Sequence, residues 1–338
     1  MKKLFLSAAF LAASLASQAQ QAPLWMRYPA ISPDGKTIVF SYKGDIYSVP
    51  ATGGEARQLT TNAAHDSYPI WSPDGKKIAF ASNREGSFDV YVMSAHGGAP
   101  TRITTNSERE IPVAFKDNDH VLFSANIMPT AESNLFASRE FSQVYEVSTQ
   151  GGRPKLYSVI PMEDISINAK GQVLYHDSKG YEDQWRKHHT SPITRDIWML
   201  DNGKYQKITA FKGEDRTPVW AADGESFYYL SEQAGSFNIY HRNIATGKDV
   251  QLTHEKKNPI RFLTSSADGL LCYGYDGEIY TVKEGAQPQK VNISITADND
   301  EPSLVRQVRS WGATEIALSP DAKEVAFVMH GDVYVTST

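Results

Sequence analysis

Residues 69–104 read Pro69-Ile70-Trp71-Ser72-Pro73-Asp74-Gly75, followed by KKIAFASNREGSFDVYVMSAHGGAPTRIT. The stretch parses into four short strands. Pro-x-Trp before the turn is the first, Lys77-Ile78-Ala79-Phe80 the second, Asp89-Val90-Tyr91-Val92-Met93 the third and Thr101-Arg102-Ile103-Thr104 the fourth. Each run is rich in β-branched and aromatic residues and is bounded by turn residues. Ser72-Pro73-Asp74-Gly75 suits a type I turn: Pro presets φ at the second position, Asp accepts local hydrogen bonds and Gly closes it. Gly97-Gly98 supplies positive φ between the third and fourth strands.

Outward from this stretch the same pattern recurs. Residues 29–60 run from Pro29-Ala30-Ile31-Ser32-Pro33-Asp34-Gly35 through KTIVFSYKGDIYSVPATGGEARQLT, and a third copy runs from Pro218-Val219-Trp220 through Asp223-Gly224 to Gln251-Leu252-Thr253. Weaker copies fill 112–158 (Val121-Leu122-Phe123, Gln143-Val144-Tyr145, Gly151-Gly152), 165–209 (Val173-Leu174-Tyr175, Asp196-Ile197-Trp198-Met199) and 264–292 (Asp268-Gly269, Gly277-Glu278-Ile279-Tyr280). A seventh copy starts at Ser319-Pro320-Asp321 and breaks off after Asp332-Val333-Tyr334-Val335, two strands into the pattern. Four strands recurring every roughly 40–50 residues is the spacing of a β-propeller. No 3.6-residue apolar period supports a helical solenoid.

The predicted fold is therefore all-β: a six-bladed β-propeller of four-stranded antiparallel blades over 20–292, a linker over 293–313, and the first strands of a second, truncated propeller over 314–338. Because each of the first six copies holds its four strands in order, closure is expected by packing alone, without a strand borrowed from the other end. The competing arrangement is one seven-bladed ring in which Leu24-Trp25-Met26 completes the last blade. The half-built seventh copy would leave apolar edges such as Val325-Ala326-Phe327-Val328 unpaired, which suggests a fragment of a longer chain.

Bulk composition narrows the function classes. With 34 Lys and Arg against 39 Asp and Glu, the net charge of -5 gives no general attraction to nucleic acid or anionic lipid. A single cysteine, Cys272, excludes an intramolecular disulfide and a thiolate cluster, and its place in Leu270-Leu271-Cys272-Tyr273 reads as a buried structural thiol. Met1-Lys2-Lys3, the apolar run Leu4 to Ala16 and the small residues of Ser17-Gln18-Ala19 form an export signal over 1–19, cleaved before Gln20. An exported, periplasmic protein with no membrane span after cleavage is expected.

Candidate chemistry is sparse. There is no Gly-x-Ser-x-Gly elbow, and the adjacent His188 and His189 would point to opposite faces of a strand, poor geometry for a metal. Asp117-Asn118-Asp119 and Asp298-Asn299-Asp300 lack the Gly and distal Glu of a calcium loop. No catalytic residue, metal site or cofactor is assigned. The one segment singled out is the insertion 180–195, where Tyr181, Trp185, Arg186, His188 and His189 form a candidate contact surface for substrate or a partner, since aromatic and Arg side chains are favoured anchors.

The Ser-Pro-Asp-Gly-x-x-Ile-x-Phe…Ile-Tyr…Gly-Gly…Leu-Thr pattern resembles the TolB-like propeller repeat over nearly all of 24–292. Three further stretches, Leu24-Trp25-Met26-Arg27-Tyr28-Pro29, Lys179 to Thr190 leading into Arg195-Asp196-Ile197-Trp198, and Trp311-Gly312-Ala313 to Asp321, are similar to the amino-terminal part of tricorn-type serine peptidases. That resemblance implies a six-bladed propeller, a seven-bladed propeller, a PDZ domain and a separate catalytic domain, with the propellers gating peptides. It implies peptides or unfolded segments and the other domains of the same polypeptide as partners, with homo-oligomer formation left open. A free-standing TolB-like binding scaffold, or the propeller of an amidohydrolase or prolyl-type peptidase, are the alternatives.

Overall fold

The computed structural model describes residues 23–127, 142–181, 183, 185, 190–296, 311–329 and 331–338. They fall into two units divided after Thr296. In the first, β1 (Arg27–Ile31), β2 (Thr37–Tyr42) and β3 (Asp45–Pro50) are followed by a two-residue strand, β4 (Gly54–Glu55), and by β5 (Arg57–Gln58). β6 (Asp66–Trp71), β7 (Lys77–Glu85), β8 (Ser87–Ser94) and β9 (Thr101–Arg102) come next, then β10 (Ile111–Phe115), β11 (His120–Ala125), β12 (Gln143–Ser148) and β13 (Lys155–Ser158). The chain continues through β14 (Met162–Ile167), β15 (Val173–Asp177), β16 (Ile197–Asp201) and β17 (Lys204–Lys207) to β18 (Asp215–Trp220), β19 (Ser226–Ser231), β20 (Asn238–Asn243) and β21 (Asp249–Gln251). The last strands of the unit are β22 (Arg261–Ser265), β23 (Leu271–Tyr275), β24 (Glu278–Val282), β25 (Gln289–Lys290) and β26 (Ile293–Ser294).

Six four-stranded antiparallel sheets result, β1-β2-β3-β5, β6-β7-β8-β9, β10-β11-β12-β13, β14-β15-β16-β17, β18-β19-β20-β21 and β22-β23-β24-β25. The first strand of each sheet touches the first strand of the next, and β1 touches β22 and β23, so the six blades close on themselves.

Alternation along the second strand explains why the blades stack. Successive side chains of a strand point to opposite faces, and each face of a blade is covered by a neighbour. Val39 therefore packs with Ile78, Phe80 and Tyr91 of the second blade, while Ile38 and Phe40 face the sixth blade across Cys272 and Ile279. Likewise Ala79 meets Phe123 and Tyr145, and Leu122 meets Val173 and Tyr175. Both faces being buried, the strands read as unbroken apolar runs such as Ile38-Val39-Phe40. Cys272 is fully buried in the seam between the sixth and first blades, and burial pushes its thiol far up.

The repeated motifs have direct mechanical roles. In the Ser-Pro-Asp-Gly turn, Ser32 Oγ donates to Asp34 Oδ1 (2.6 Å), Asp34 accepts the Lys36 N–H (3.1 Å) and Ser32 Oγ accepts the Thr37 N–H (3.0 Å). The turn at Ser72 repeats all three bonds. The Thr that ends a copy accepts a third-strand N–H through its hydroxyl: Thr60 from Ile46, Thr104 from Val90, Thr209 from Ile197 and Thr253 from Ile239. The Trp of Pro-x-Trp ties neighbouring blades, Trp71 Nε1 donating to the Ala30 carbonyl (2.9 Å) and Trp220 Nε1 to that of Ser166 (3.1 Å).

Closure differs from the sequence expectation. The six blades need no borrowed strand, but packing does not act alone: β26 pairs in parallel with β4, aligning Ile293 with Gly54 and Ser294 with Glu55. Gly54 N–H donates to Asn292 O (2.9 Å) and Ala56 N–H to Ser294 O (2.8 Å). Val291, Ile293 and Ile295 bury their side chains in the seam with Ile38, Phe40 and Val49. Residues 293–295, read from the sequence as the start of a linker, thus belong to this seam. Gly53 is required there, because its φ is +89° and a Cβ would lie 2.6 Å from Asn292 O. A ring closed between β1 and β22 leaves no gap for a seventh blade, and Met26 instead donates its N–H to Gly277 O of the sixth.

The second unit holds β27 (Ala313–Leu318), β28 (Glu324–Met329) and β29 (Asp332–Ser337) as one antiparallel sheet. The seventh copy therefore has three strands, not two, because Ala313–Leu318 alternates as a first strand. Its Ser319 Oγ donates to Asp321 Oδ1 (2.7 Å), the turn chemistry of the other copies.

Candidate functional site: the central cavity

The first strands of all six blades surround a cavity of about 960 Å³. These strands share an irregularity. Register skips between Arg27 and Ala30, Ser67 and Ile70, Glu163 and Ser166, Arg216 and Val219, and Arg261 and Thr264. The first residue skipped in each case has left-handed backbone: Tyr28 (φ 52°), Tyr68 (55°), Asp164 (49°), Thr217 (53°) and Phe262 (60°). In the third blade only Val113 is skipped, after Pro112, whose ring forbids positive φ. Left-handed φ on bulky and β-branched residues costs roughly 1–3 kcal/mol each and persists only where the surroundings hold it. All five residues line the cavity.

The ring they form has two unlike arcs. On one, Tyr28 stacks on Tyr68 with centroids 4.0 Å apart and meets the edge of Phe262 at 4.9 Å. Tyr28 Oη donates to Tyr68 Oη (3.0 Å), which also accepts from Arg109 Nη2 (3.2 Å). Burial, with Tyr68 alongside, pushes the Tyr28 phenol far up. On the other arc, Thr217 Oγ1 donates to Asp164 Oδ2 (2.6 Å).

Behind the polar arc is a charge network in which His176, Arg195, Glu214 and Arg216 are buried. Thr217 N–H donates to His176 Nδ1 (3.2 Å), and His176 Nε2 lies 3.0 Å from Glu163 Oε2. Arg195 bridges Glu163 and Glu214, both at 3.3 Å, and Arg216 pairs with Glu214 at 3.4 Å. Burial opposes ionisation of Glu163, but the hydrogen bond and charge of His176 and the charge of Arg195 outweigh it and hold the carboxyl at about 2. At Arg261, burial and the neighbouring guanidiniums of Arg216 and Arg27, against the pull of Asp183, bring the side chain down to about 10.

Of the residues singled out in the insertion, Trp185 faces the cavity. Its ring lies 4.8 Å from the Arg27 guanidinium and 5.2 Å from that of Arg261, with Phe262 edge-on at 6.0 Å. Arg261 Nη2 donates to the Trp185 carbonyl at 2.6 Å. A residue of the fourth blade's insertion thus reaches the first and sixth blades. Tyr181 lines the same cavity yet is 85% exposed. Arg186, His188 and His189 lie outside the described residues. Among those described, no group of three His, Cys, Asp or Glu could hold a metal. Asp117 instead closes its own turn, accepting the Asp119 N–H at 2.8 Å; Asp298-Asn299-Asp300 lies outside the described residues.

Sequence reading did not find the ring. Its one available signal was the residue before the aligned prolines Pro29, Pro69 and Pro218, a position occupied by Tyr, Tyr and Thr in otherwise matching copies.

Two seam carboxyls give the fold a pH signature. Burial raises Asp215 to about 7 against the opposing pull of the neighbouring Ser231 and Thr209 side chains, and raises Asp45 to about 6 against the Thr60 hydroxyl. The folded state then binds more protons than the unfolded one between about pH 4 and 7, so stability falls as pH rises through that window. Glu163 acts oppositely: its contribution is present above about pH 4.5 and is lost toward pH 2. The expected result is a urea midpoint highest near about pH 4, with Asp215→Asn flattening the decline toward pH 8. An unchanged slope in that variant would show that Asp215 is not the group responsible.

Comparison with known proteins agrees with this geometry. The model of the tricorn protease N-terminal beta propeller domain matches residues 23–288. Among solved structures the chain is similar to the tricorn protease, with 20% identity and a TM-score of 0.69 over 93% of this chain and 30% of that one. It is similar also to TolB from Acinetobacter baumannii (16% identity, TM-score 0.55, 81% of this chain and 65% of that one). A third is oligogalacturonate lyase from Vibrio parahaemolyticus (15% identity, TM-score 0.50, 93% and 89%). At these identities the likenesses concern the fold alone. No curated protein matches the chain significantly. With six blades closed around a central cavity and the family's own model covering residues 23–288, the chain belongs to the tricorn protease N-terminal beta propeller domains.

Proposed function

We propose that this propeller is the non-catalytic substrate gate and assembly domain of a secreted tricorn-type serine peptidase that degrades peptides. The observation that carries the proposal is the ring of Tyr28, Tyr68, Asp164, Thr217 and Phe262, five side chains held inward at a cost in backbone strain. A packed structural core needs no such positions. A passage that selects what enters does, because a rigid collar of side chains admits an extended chain and rejects a folded domain on size alone. Trp185 and Tyr181 would then contact substrate or a neighbouring domain of the same polypeptide. Export to the periplasm rests on Met1-Lys2-Lys3 and the apolar run that follows.

The test is the reading frame past codon 338. The gate reading expects a second propeller and a domain with a Ser nucleophile. A stop codon close to Thr338 would replace it with a free-standing TolB-like binding scaffold, the reading that the likeness to TolB supports. Metal ligands or a nucleophile elbow there would instead point to an amidohydrolase or a prolyl-type peptidase.

A further inference from the structure

The two arcs of the ring differ in what they leave available. The polar arc presents acceptors: Glu163, with His176 and Arg195 at its Oε2, and Asp164, whose Oδ2 accepts the Thr217 hydroxyl. On the aromatic arc the situation is reversed. Tyr68 Oη accepts from both Tyr28 and Arg109, which uses its two acceptor directions and leaves its own proton to be donated. Arg109 lies over the rings of Tyr68 and Phe88, at 5.7 and 5.5 Å, and pairs with no carboxylate among the described residues. Arg261 adjoins Phe262 at the other end of the arc, where the like charges of Arg216 and Arg27 are set against the pull of Asp183. Donors and positive charge therefore collect beside an aromatic surface inside the cavity.

We propose that the aromatic arc of Phe262, Tyr28 and Tyr68, with Arg109 and Arg261 beside it, binds the acidic side chain of an extended peptide. The carboxylate would take the Tyr68 O–H and an Arg109 N–H, a charge-assisted pair, while apolar neighbours in the peptide lie on Tyr28 and Phe262. The inference rests on the peptide-admitting reading and adds a selectivity to it: acidic segments are held, basic ones are not.

The experiment is calorimetric titration of the chain with three octapeptides, each acetylated and amidated so that no terminal charge remains. They differ only in a central Glu, Gln or Lys between phenylalanines. Hydrogen bonds to a charged group contribute about 1.5–3 kcal/mol, so the Glu peptide is expected to bind about tenfold or more tighter than the Gln peptide, and the Lys peptide weakest. Tyr68→Phe and Arg109→Gln should each weaken the Glu peptide while leaving Gln-peptide affinity in place, which also reports that the variants are folded. Equal affinities, or a preference for Lys, would overturn the acidic selectivity and leave peptide admission standing. A Gln peptide with a free carboxyl terminus that matches the amidated Glu peptide would overturn the side-chain assignment. Failure of all three peptides to bind would remove both this inference and the gate reading beneath it.

Discussion

Ending the chain at Gln289 instead of Thr296 should open the ring. The seven residues removed include Val291, Ile293 and Ile295, all buried in the seam between the sixth and first blades. Burying one such side chain is worth about 1.5–3 kcal/mol, so the loss is roughly 5–9 kcal/mol. That is comparable with the whole stability of a typical domain, about 5–15 kcal/mol. The bonds from Gly54 to Asn292 and from Ala56 to Ser294 go with them. Urea unfolding of the shorter chain should show a lower midpoint and a shallower slope, with amide exchange accelerated first in β1 and β22. A shorter chain with the same midpoint and slope would mean that the six blades hold together by packing alone.

Arg84→Met is the point substitution expected to cost most. Asp66 opens the first strand of the second blade and is fully buried. Arg84 Nη2 donates to it at 2.6 Å and Nε to Ser82 Oγ at 3.1 Å, with the guanidinium over Phe80 and Tyr91. Methionine keeps most of the apolar stem but strands a carboxylate away from water, a loss of about 3–5 kcal/mol. Adding Asp66→Asn removes the stranded charge, and the double variant should recover most of that loss. Measured by chemical denaturation, a single variant within about 1 kcal/mol of the parent would contradict this, given the size expected for a broken buried pair. So would a double variant no better than the single one.

What the sequence made legible is what repeats. The Ser-Pro-Asp-Gly turns, the closing Thr and the Trp of Pro-x-Trp each recur because each makes the same bond in several blades. Ile38-Val39-Phe40 and Ile78-Ala79-Phe80 recur because each blade faces two neighbours. The parts that were not legible occur once or vary. Ile293-Ser294-Ile295 lies past the end of the sixth copy, has no counterpart in another copy and pairs with only two residues of the first blade. The cavity ring is the same backbone event in five blades, but it carries Tyr, Tyr, Asp, Thr and Phe, so no residue pattern marks it. Its sign is a dihedral angle. The charge network of Glu163, His176, Arg195 and Glu214 joins residues of two strands and two connecting segments, which no spacing along the chain reveals. Trp185 was singled out from its residue type; its seat between Arg27 and Arg261 depends on a reach across the ring.

The central claim, that the cavity admits extended peptides and excludes folded proteins, is tested most directly by a thiol placed in the ring. Cys272 is the only native cysteine and is fully buried, so Thr217→Cys supplies the one reactive thiol. It would be offered maleimide on a short peptide, and separately maleimide on the surface of a small folded protein. The account predicts rapid modification by the peptide reagent and none by the folded one. Equal modification by both would mean that Thr217 lies on an open face, and modification by neither would mean a sealed cavity; either result would contradict a gate.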